Sequence, residues 1–321
     1  MVLTFSDLRS TRFVQITWIC LLLCFVGGSN AAAQLLQNHG PSIATDQAVQ
    51  PGAFPLFERG HATSVYVADE DEAPVHTAVH AFVGDVEKVA GIRPATISDP
   101  SLHGERQIII VGTLGHSPIL TQLAQRHQLD TSAVIGKWES APVSVVDEPL
   151  PGIRSALVVT GSDARGAAFA LFDLSRGIGV SPWNWGADVP VQHHTSAVVT
   201  ERRYIQQPPA VQYRGIFIND EDWGIRPWAA RKMDPELKNI GPHTYVRVFE
   251  LLLRLHANTL WPAMHPGTLP FHSIPENIRL ANQWGIVMGS SHSEALLRNN
   301  VGEWDEGRDR EWNYQTNSAA I

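Results

Sequence analysis

Short apolar, β-branched runs alternate with amphipathic helical segments along much of this 321-residue chain. In the first half the predicted strands are "SVYVA" (64–68), "QIIIVG" (107–112) and "ALVVTG" (156–161), and the predicted helices cover 73–91, 117–128 and 163–179. Ser117 and Asp163 are typical N-caps for the second and third helices, and Gly91 is a typical end for the first. Strands and helices that alternate in this way predict an α/β fold.

A second series of the same kind begins near Tyr213. It consists of a strand "GIFIND" (215–220), expected to be buried, helices at 241–257 and 275–285, and strands at 258–264 and 286–292. Strands and helices that alternate at such short intervals are typical of the start of either a doubly wound sheet or a (β/α)₈ barrel. A barrel takes about 250 residues, far more than follow Tyr213. The sequence therefore predicts an N-terminal α/β domain at 34–205, starting with a polar lead-in to about residue 60. The first three β/α units of an apparently truncated (β/α)₈ barrel are expected at 206–321.

The first 33 residues have the pattern of a secretory signal peptide. Arg9 and Arg12 precede an apolar stretch, and small residues at 31–33 form a cleavage pattern. The apolar stretch is shorter than the roughly 20 residues of a membrane span, which disfavours the alternative of an uncleaved anchor. Both cysteines, Cys20 and Cys24, lie in this segment. We expect a secreted protein, extracellular or periplasmic, that has no disulfide.

The charge balance is acidic, with 32 Asp and Glu residues against 24 Lys and Arg residues. No basic stripe runs along any predicted helix. Nucleic acids and anionic membrane surfaces are therefore excluded as expected partners.

Polar and aromatic residues follow the predicted strands of the second series, where parallel α/β folds bind their ligands. The candidate site residues are Asn219, Asp220 and Glu221 after the first strand, Trp261 and His265 after the second, and His292, Glu294, Arg298 and Asn300 after the third. Trp183 and Trp185 lie in an aromatic segment, "SPWNWGADVP" (181–190), that is unusual for a linker. Carboxylates bind hydroxyl groups and an indole covers the apolar face of a sugar ring, so this composition favours a carbohydrate ligand.

Glycoside cleavage requires two carboxyl groups. Glu221 is our candidate for one of them, and an acidic surface turn is the alternative interpretation of the "DED" triplet at 220–222. Arg298 is a candidate partner for an acidic sugar, and a surface ion pair with Glu294 is its alternative.

We expect neither a metal nor a cofactor. His256, His265, His272 and His292 do not have the spacing of a metal site on one helix face. His256 is expected instead as a cation at the C-terminus of its helix. "GSDARG" (161–166) lacks the glycine pattern of a nucleotide-binding loop.

Six segments together resemble glycoside hydrolase family 115, whose members are secreted xylan α-1,2-glucuronidases. They are "GSDARG", "GIGVSPWNWGADVPV", "YRGIFINDED", "ANTLWPAM", "GIVMGSSHSEALLRNN" and "EWD". The resemblance implies an N-terminal α/β domain before a (β/α)₈ catalytic barrel. It also implies removal of glucuronic or 4-O-methylglucuronic acid from glucuronoxylan with inversion, no cofactor, and a possible homodimer of the full-length protein.

The resemblance assigns the acidic residue at the end of the first barrel strand to Glu221, with Asn219 and Asp220 beside it. Segments 261–265 and 292–300 would line the uronic acid pocket, and 183–188 would reach it from the first domain. The family often has further aromatic residues where this chain has Asn184 and Gly186. The family's other candidate acids lie on later strands, so the partner carboxyl is expected after Ile321.

Two alternatives remain open. One is a retaining, hexosaminidase-like hydrolase, which would need an acidic pair on a fourth barrel strand. The other is a non-catalytic glycan-binding protein, which would bind xylan oligomers without turnover.

Overall fold

The structure is a computed structural model that describes residues 40–99, 104–219, 224–291, 297–299 and 302–321. The predicted signal peptide lies outside these residues. Gly40–Ile321 form a compact unit. The strands are β1 (Ile43–Thr45), β2 (Phe54–Glu58), β3 (His61–Ala62), β4 (Val65–Val67), β5 (Thr96–Ile97), β6 (Gln107–Thr113), β7 (Ala141–Leu150), β8 (Ile153–Gly161), β9 (Ser196–Val199), β10 (Arg203–Gln206), β11 (Gly215–Phe217), β12 (Thr259–Trp261) and β13 (Val287–Met288). The helices are α1 (Ala73–Ala90), α2 (Pro118–Gln125), α3 (Ala164–Gly177), α4 (Ile225–Lys232), α5 (Pro242–Arg254), α6 (Pro275–Gln283), α7 (Glu306–Asp309) and α8 (Tyr314–Asn317).

The main sheet has six strands in the order β10-β7-β8-β6-β4-β5. Strands β8, β6, β4 and β5 are parallel to one another, and β7 is antiparallel to both of its neighbours, β8 and β10. Helices α1 and α3 cover one face, where they pack with Ile109 and Val111, and α2 covers the other, where Leu120 packs with Ile108 and Ile110. Because both faces are covered, β6 is a continuous apolar run instead of an alternating one.

The local signals in the first half are confirmed. The Ser117 side chain accepts a hydrogen bond from the backbone N–H of Leu120, and Asp163 accepts one from Gly166. Gly91 ends α1 in the left-handed region, with a φ of 71°. These caps satisfy backbone groups at the helix ends, which explains why the helix starts could be placed from sequence.

The region before residue 60 is not the polar lead-in that the sequence predicts. It supplies β1 and β2 to a second, antiparallel sheet of order β1-β9-β2-β3. Phe54, Leu56 and Phe57 of β2 are almost wholly buried. They join the hydrophobic core on the side of α1 and α3.

The third sheet is parallel, in the order β11-β12-β13. Helices α4 and α5 connect β11 to β12, and a short 3-10 helix followed by α6 connects β12 to β13. The mixed α/β fold is thereby confirmed, and the barrel arrangement and the domain boundary at 205/206 stay predictions. The expected burial of "GIFIND" is wrong, since Ile216 is 47% exposed. Among the described residues, β11 pairs with β12 and with no other strand, which leaves Ile216 open to solvent, whereas Ile218 is 7% exposed.

Among the described residues, no helix combines the length and the apolar character that crossing a membrane would require.

Candidate active site

The carboxyl ends of β11, β12 and β13 meet at one edge of the third sheet. Phe217 is the register partner of Trp261, and the N–H of Ile218 donates to the carbonyl of Trp261 at 2.9 Å. The N–H of Gly289 donates to the carbonyl of Leu260 at 2.9 Å. Because the three strands end in register, the residues that follow them share this edge, as the sequence predicts for parallel strands.

The most prominent aromatic group at this edge is Trp261. Its indole is 43% exposed and lies edge-on to Phe217, with ring centroids 6.1 Å apart. On its other side it lies against Gly289, where a Cβ atom would be 2.2 Å from Trp261 Nε1. The absence of a side chain at Gly289 lets the indole lie across the end of β13. Its exposed part can pack against the apolar face of a sugar ring.

Hydrogen bonds hold the loop after β12 in place. The carbonyl of Gly267 accepts from Arg226 Nη1 at 2.7 Å and from Asn239 Nδ2 at 3.0 Å. The N–H of Gly267 donates to His265 Nδ1 at 3.5 Å. Arg226 belongs to α4, so the loop that carries His265 is fixed to the helix that follows β11.

The segment from residue 297 folds back onto the same loop. Asn299 Nδ2 donates to the carbonyl of Met264 at 3.4 Å, and the N–H of Asn299 donates to Glu303 at 2.8 Å. Ser291 Oγ donates to Met264 Sδ at 2.9 Å. Arg298 forms an ion pair with Glu303 at 3.2 Å and is 59% exposed.

Arg298 thus pairs with Glu303, and the predicted role of Arg298 in binding a uronic acid stays a prediction.

The half-buried His272 lies close to the side chains of both Arg298 and Glu303. Burial lowers the pKa of His272, the positive charge of Arg298 lowers it further, and the carboxylate of Glu303 opposes both effects. This corner of the site thus favours a neutral imidazole, which can donate or accept a hydrogen bond.

The tryptophan-rich segment at 181–190 contacts the second series of helices. Trp185 lies edge-on to Trp228 of α4, with ring centroids 5.7 Å apart, and the guanidinium of Arg247 of α5 lies over Trp185 at 5.9 Å. Trp183 is exposed. Sequence reasoning gave no role to Trp228 or Arg247, because their proximity to Trp185 depends on tertiary packing.

Several predicted site residues lie outside the described part of the chain. They are Asp220, Glu221, His292, Glu294 and Asn300. Their roles stay predictions. Asn219, which directly precedes Asp220 and Glu221, lies at the described carboxyl end of β11.

One group of acidic and histidine side chains could suggest a metal site. Potential ligand atoms of Asp234, Glu236 and His243 lie within 4.8 Å of one another. The buried Asp234 carboxylate, however, accepts hydrogen bonds from the backbone N–H groups of Gly241, His243 and Thr244 and from the Thr244 hydroxyl. His243 Nδ1 is 2.9 Å from the carbonyl of Met233. These contacts identify Asp234 as an anchor for the start of α5, where a negative charge is favourable.

His256 directly follows the C-cap of α5, and its role as a cation at this helix end stays a prediction. Its Nε2 is 3.0 Å from the buried carboxylate of Asp173, and its ring stacks on Phe169 at 4.8 Å. His256 therefore connects the end of α5 to α3 and lies near the amino ends of the third sheet, away from the carboxyl ends.

The chain is similar to one protein family and to several solved structures. Residues 206–321 match the model of glycosyl hydrolase family 115. A solved family GH115 4-O-methyl-α-glucuronidase with specificity for decorated arabinogalactans has a TM-score of 0.72 and 37% identity, over 83% of this chain and 33% of that chain. A β-hexosaminidase of Streptomyces plicatus has a TM-score of 0.44 and 13% identity, over 76% of this chain and 44% of that chain.

No curated protein matches the sequence. The chain spans a third of the length of the 4-O-methyl-α-glucuronidase, and the family model lies on the segment that contains the third sheet and the helices around it. On the strength of that segment and of the 37% identity, the chain belongs to glycosyl hydrolase family 115.

Proposed function

We propose that this chain forms part of an α-glucuronidase that removes glucuronic or 4-O-methylglucuronic acid side groups from a polysaccharide. The observation that carries the proposal is the half-exposed Trp261 at the shared carboxyl edge of β11, β12 and β13. This edge lies in the segment that matches the family, and the related solved enzyme is a 4-O-methyl-α-glucuronidase. Trp261 would bind the sugar ring, and the residues after β11 would supply polar groups.

For the chemistry, we assign one of the two required carboxyl groups to Glu221, two residues after Asn219. In an inverting mechanism one carboxyl protonates the leaving oxygen and the other activates a water molecule on the opposite face, with about 6.5–9.5 Å between them. The chain covers 33% of the related enzyme. We assign the second carboxyl group to a part of the family's catalytic domain outside the region that this chain matches in the related enzyme.

The substrate class is a glucuronic-acid-decorated polysaccharide. The motif resemblance favours glucuronoxylan, whereas the solved relative has specificity for decorated arabinogalactans. We propose glucuronoxylan as the substrate of this protein. We also propose export, because residues 1–33 have the pattern of a signal peptide.

Binding can be tested on the chain itself. Titration with a xylo-oligosaccharide that carries 4-O-methylglucuronic acid should change tryptophan fluorescence. Trp261→Ala should reduce the affinity about fivefold, since stacking on an aromatic ring typically contributes on the order of 1 kcal/mol. Trp138→Ala is a matched control, because Trp138 is equally exposed but lies in the first half of the chain. Equal loss in both variants would contradict the assignment of Trp261.

Turnover requires both carboxyl groups. We expect no release of glucuronic acid from glucuronoxylan by the 321-residue chain alone, and release by a longer protein that contains the complete barrel. In that longer protein Glu221→Gln should retain binding and lose at least about a hundredfold in turnover, the lower range for loss of a general acid or base. Proton NMR of the product should show the β-anomer. An α-anomer would reject inversion, and an active Glu221→Gln variant would reject the role of Glu221.

A further inference from the structure

Three solvent-exposed arginines line one cleft at the amino end of the main sheet. The cleft has a volume of about 530 Å³, and its charged lining residues are Arg106, Arg126, Arg154 and Glu148. The turn at 150–153 forms the rest of its wall. None of these residues belongs to the carboxyl edge of the third sheet, so this arginine cleft is separate from the candidate active site.

The three guanidinium groups come from three different elements. Arg106 directly precedes β6, Arg154 is the second residue of β8, and Arg126 caps the C-terminus of α2. The N–H of Arg154 donates to the carbonyl of Arg106 at 2.7 Å, immediately before the register pairs of β6 and β8 begin. Two like charges are thus placed on neighbouring strands, which lie about 4.8 Å apart in a sheet. Like charges on neighbouring strands repel each other weakly when both side chains are solvent-exposed, as Arg106 and Arg154 are, and a bound anion would offset this repulsion.

Within the described part of the chain, none of these three guanidinium groups forms an ion pair or a side-chain hydrogen bond. The surplus of positive charge is local, since the whole chain has a net charge of −8. In the cleft, three arginines face one carboxylate, that of Glu148. This single carboxylate is exposed and forms no ion pair with them.

The backbone around the cleft is well defined. Pro151 and Gly152 form the turn between β7 and β8, and Leu150 pairs with Ile153 across it. Gly152 has a φ of 84°, a value that a turn with proline before glycine requires. Arg154 therefore extends from a fixed position, which reduces the entropy lost when a ligand binds.

We propose that the arginine cleft is a secondary binding site for the carboxylates of an acidic polysaccharide. Guanidinium groups bind carboxylates through two parallel hydrogen bonds, and their fixed fork makes arginine better suited to this than lysine. The choice of a uronic-acid-bearing glycan rests on the proposed function. Binding here would hold a second decorated segment of the polymer while the candidate active site acts on the first, which raises the effective concentration of substrate.

The test measures affinity by calorimetry with the full chain. The probes are a xylo-oligosaccharide that carries 4-O-methylglucuronic acid, the same oligosaccharide without it, and sodium sulfate and phosphate. A Trp261→Ala background weakens binding at the candidate active site, so that binding at the arginine cleft contributes more of the measured signal. In that background we expect binding of the acidic oligosaccharide only, and a loss of at least tenfold in the double variant Arg106→Gln/Arg154→Gln. Arg231→Gln is the matched control, because it removes an equally exposed arginine elsewhere.

A separate measurement distinguishes a binding role from a structural one. Removing either member of the Arg106–Arg154 pair relieves like-charge repulsion, so the midpoint of chemical unfolding should stay unchanged or rise. A fall in the midpoint would assign the arginines a structural role and overturn the proposal. Undiminished binding by the double variant, equal binding of the neutral oligosaccharide, or preferential binding of sulfate or phosphate would also overturn it. None of these results would affect the Trp261 and Glu221 tests, which decide the proposed function independently.

Discussion

Replacing the buried Glu139 should cost more stability than replacing any exposed ion-pair partner of this chain. Its carboxylate is 1% exposed and accepts hydrogen bonds from Arg165 Nε at 2.6 Å, Arg214 Nη2 at 2.6 Å and Asn258 Nδ2 at 2.5 Å. Arg165 belongs to α3, whereas Arg214 and Asn258 directly precede β11 and β12. One carboxylate therefore connects the main sheet and its helices to the amino ends of the third sheet.

The variant Glu139→Gln keeps the shape of the side chain and removes its charge. Its amide group can replace only one of the two acceptor oxygens, and its NH₂ group would face a guanidinium or the Asn258 amide. Removing one partner of a buried ion pair typically costs about 3–5 kcal/mol. The side chains of Arg165 and Arg214 are 25% and 21% exposed, so water can partly replace the carboxylate. We therefore expect a loss near the lower limit, about 3 kcal/mol.

Chemical unfolding followed by circular dichroism measures this loss, and a thermal scan should show the melting temperature falling by roughly 6–12 °C, given about 2–4 °C per kcal/mol for a chain of this size. Asp147→Asn is the control, because the Asp147–Arg202 pair is solvent-exposed and should contribute less than about 1 kcal/mol. A loss for Glu139→Gln that is no larger than that of the control would refute the reasoning.

Two further predictions concern acid stability and the indole at the candidate active site. Hydrogen bonds from His194 and from Thr195 lower the pKa of Asp46 to about 2. The stabilisation by this carboxylate should thus be complete above its ordinary pKa of 3.8 and be lost as the pH falls toward 2. An NMR titration of the carboxylate checks the value, and a pKa near 4 would contradict it. Gly289→Ala should displace Trp261 and weaken glycan binding by up to about fivefold, the effect expected for loss of the indole. Overpacking should cost about 1–3 kcal/mol of stability. Fluorescence titration measures the binding, and unchanged affinity would contradict the placement of the indole.

Local signals allowed much of the fold to be predicted from sequence. Ser117 and Asp163 mark helix starts because their side chains bond to N–H groups three residues away, and that chemistry is visible in a short window. The antiparallel sheet was missed because its pairs are distant in sequence. Ile43 pairs with Val199, for example, and no local pattern specifies such a partner.

In the candidate site, too, some features could be predicted from sequence and others depend on contacts between distant residues. The positions of Asn219 and Trp261 at one edge could be predicted, because the carboxyl ends of neighbouring parallel strands lie at the same edge of a sheet. The contact of Trp185 with Trp228 could not be foreseen, since it depends on how a long segment packs against α4. The proximity of Arg106 and Arg154 likewise depends on the strand order β8-β6, which their sequence positions do not specify.

The two ends of the third sheet divide stability from binding. At the amino ends, Arg214 and Asn258 donate hydrogen bonds to the buried Glu139, the N–H of Arg214 donates to Asn258 Oδ1, and Asn258 Nδ2 also donates to the carbonyl of Gln212. At the carboxyl ends, Trp261 remains half exposed, with room made for it by Gly289. In parallel α/β folds the amino ends typically serve stability and the carboxyl ends bind ligands. A rigid amino end therefore allows the loops after the strands to vary without loss of the fold.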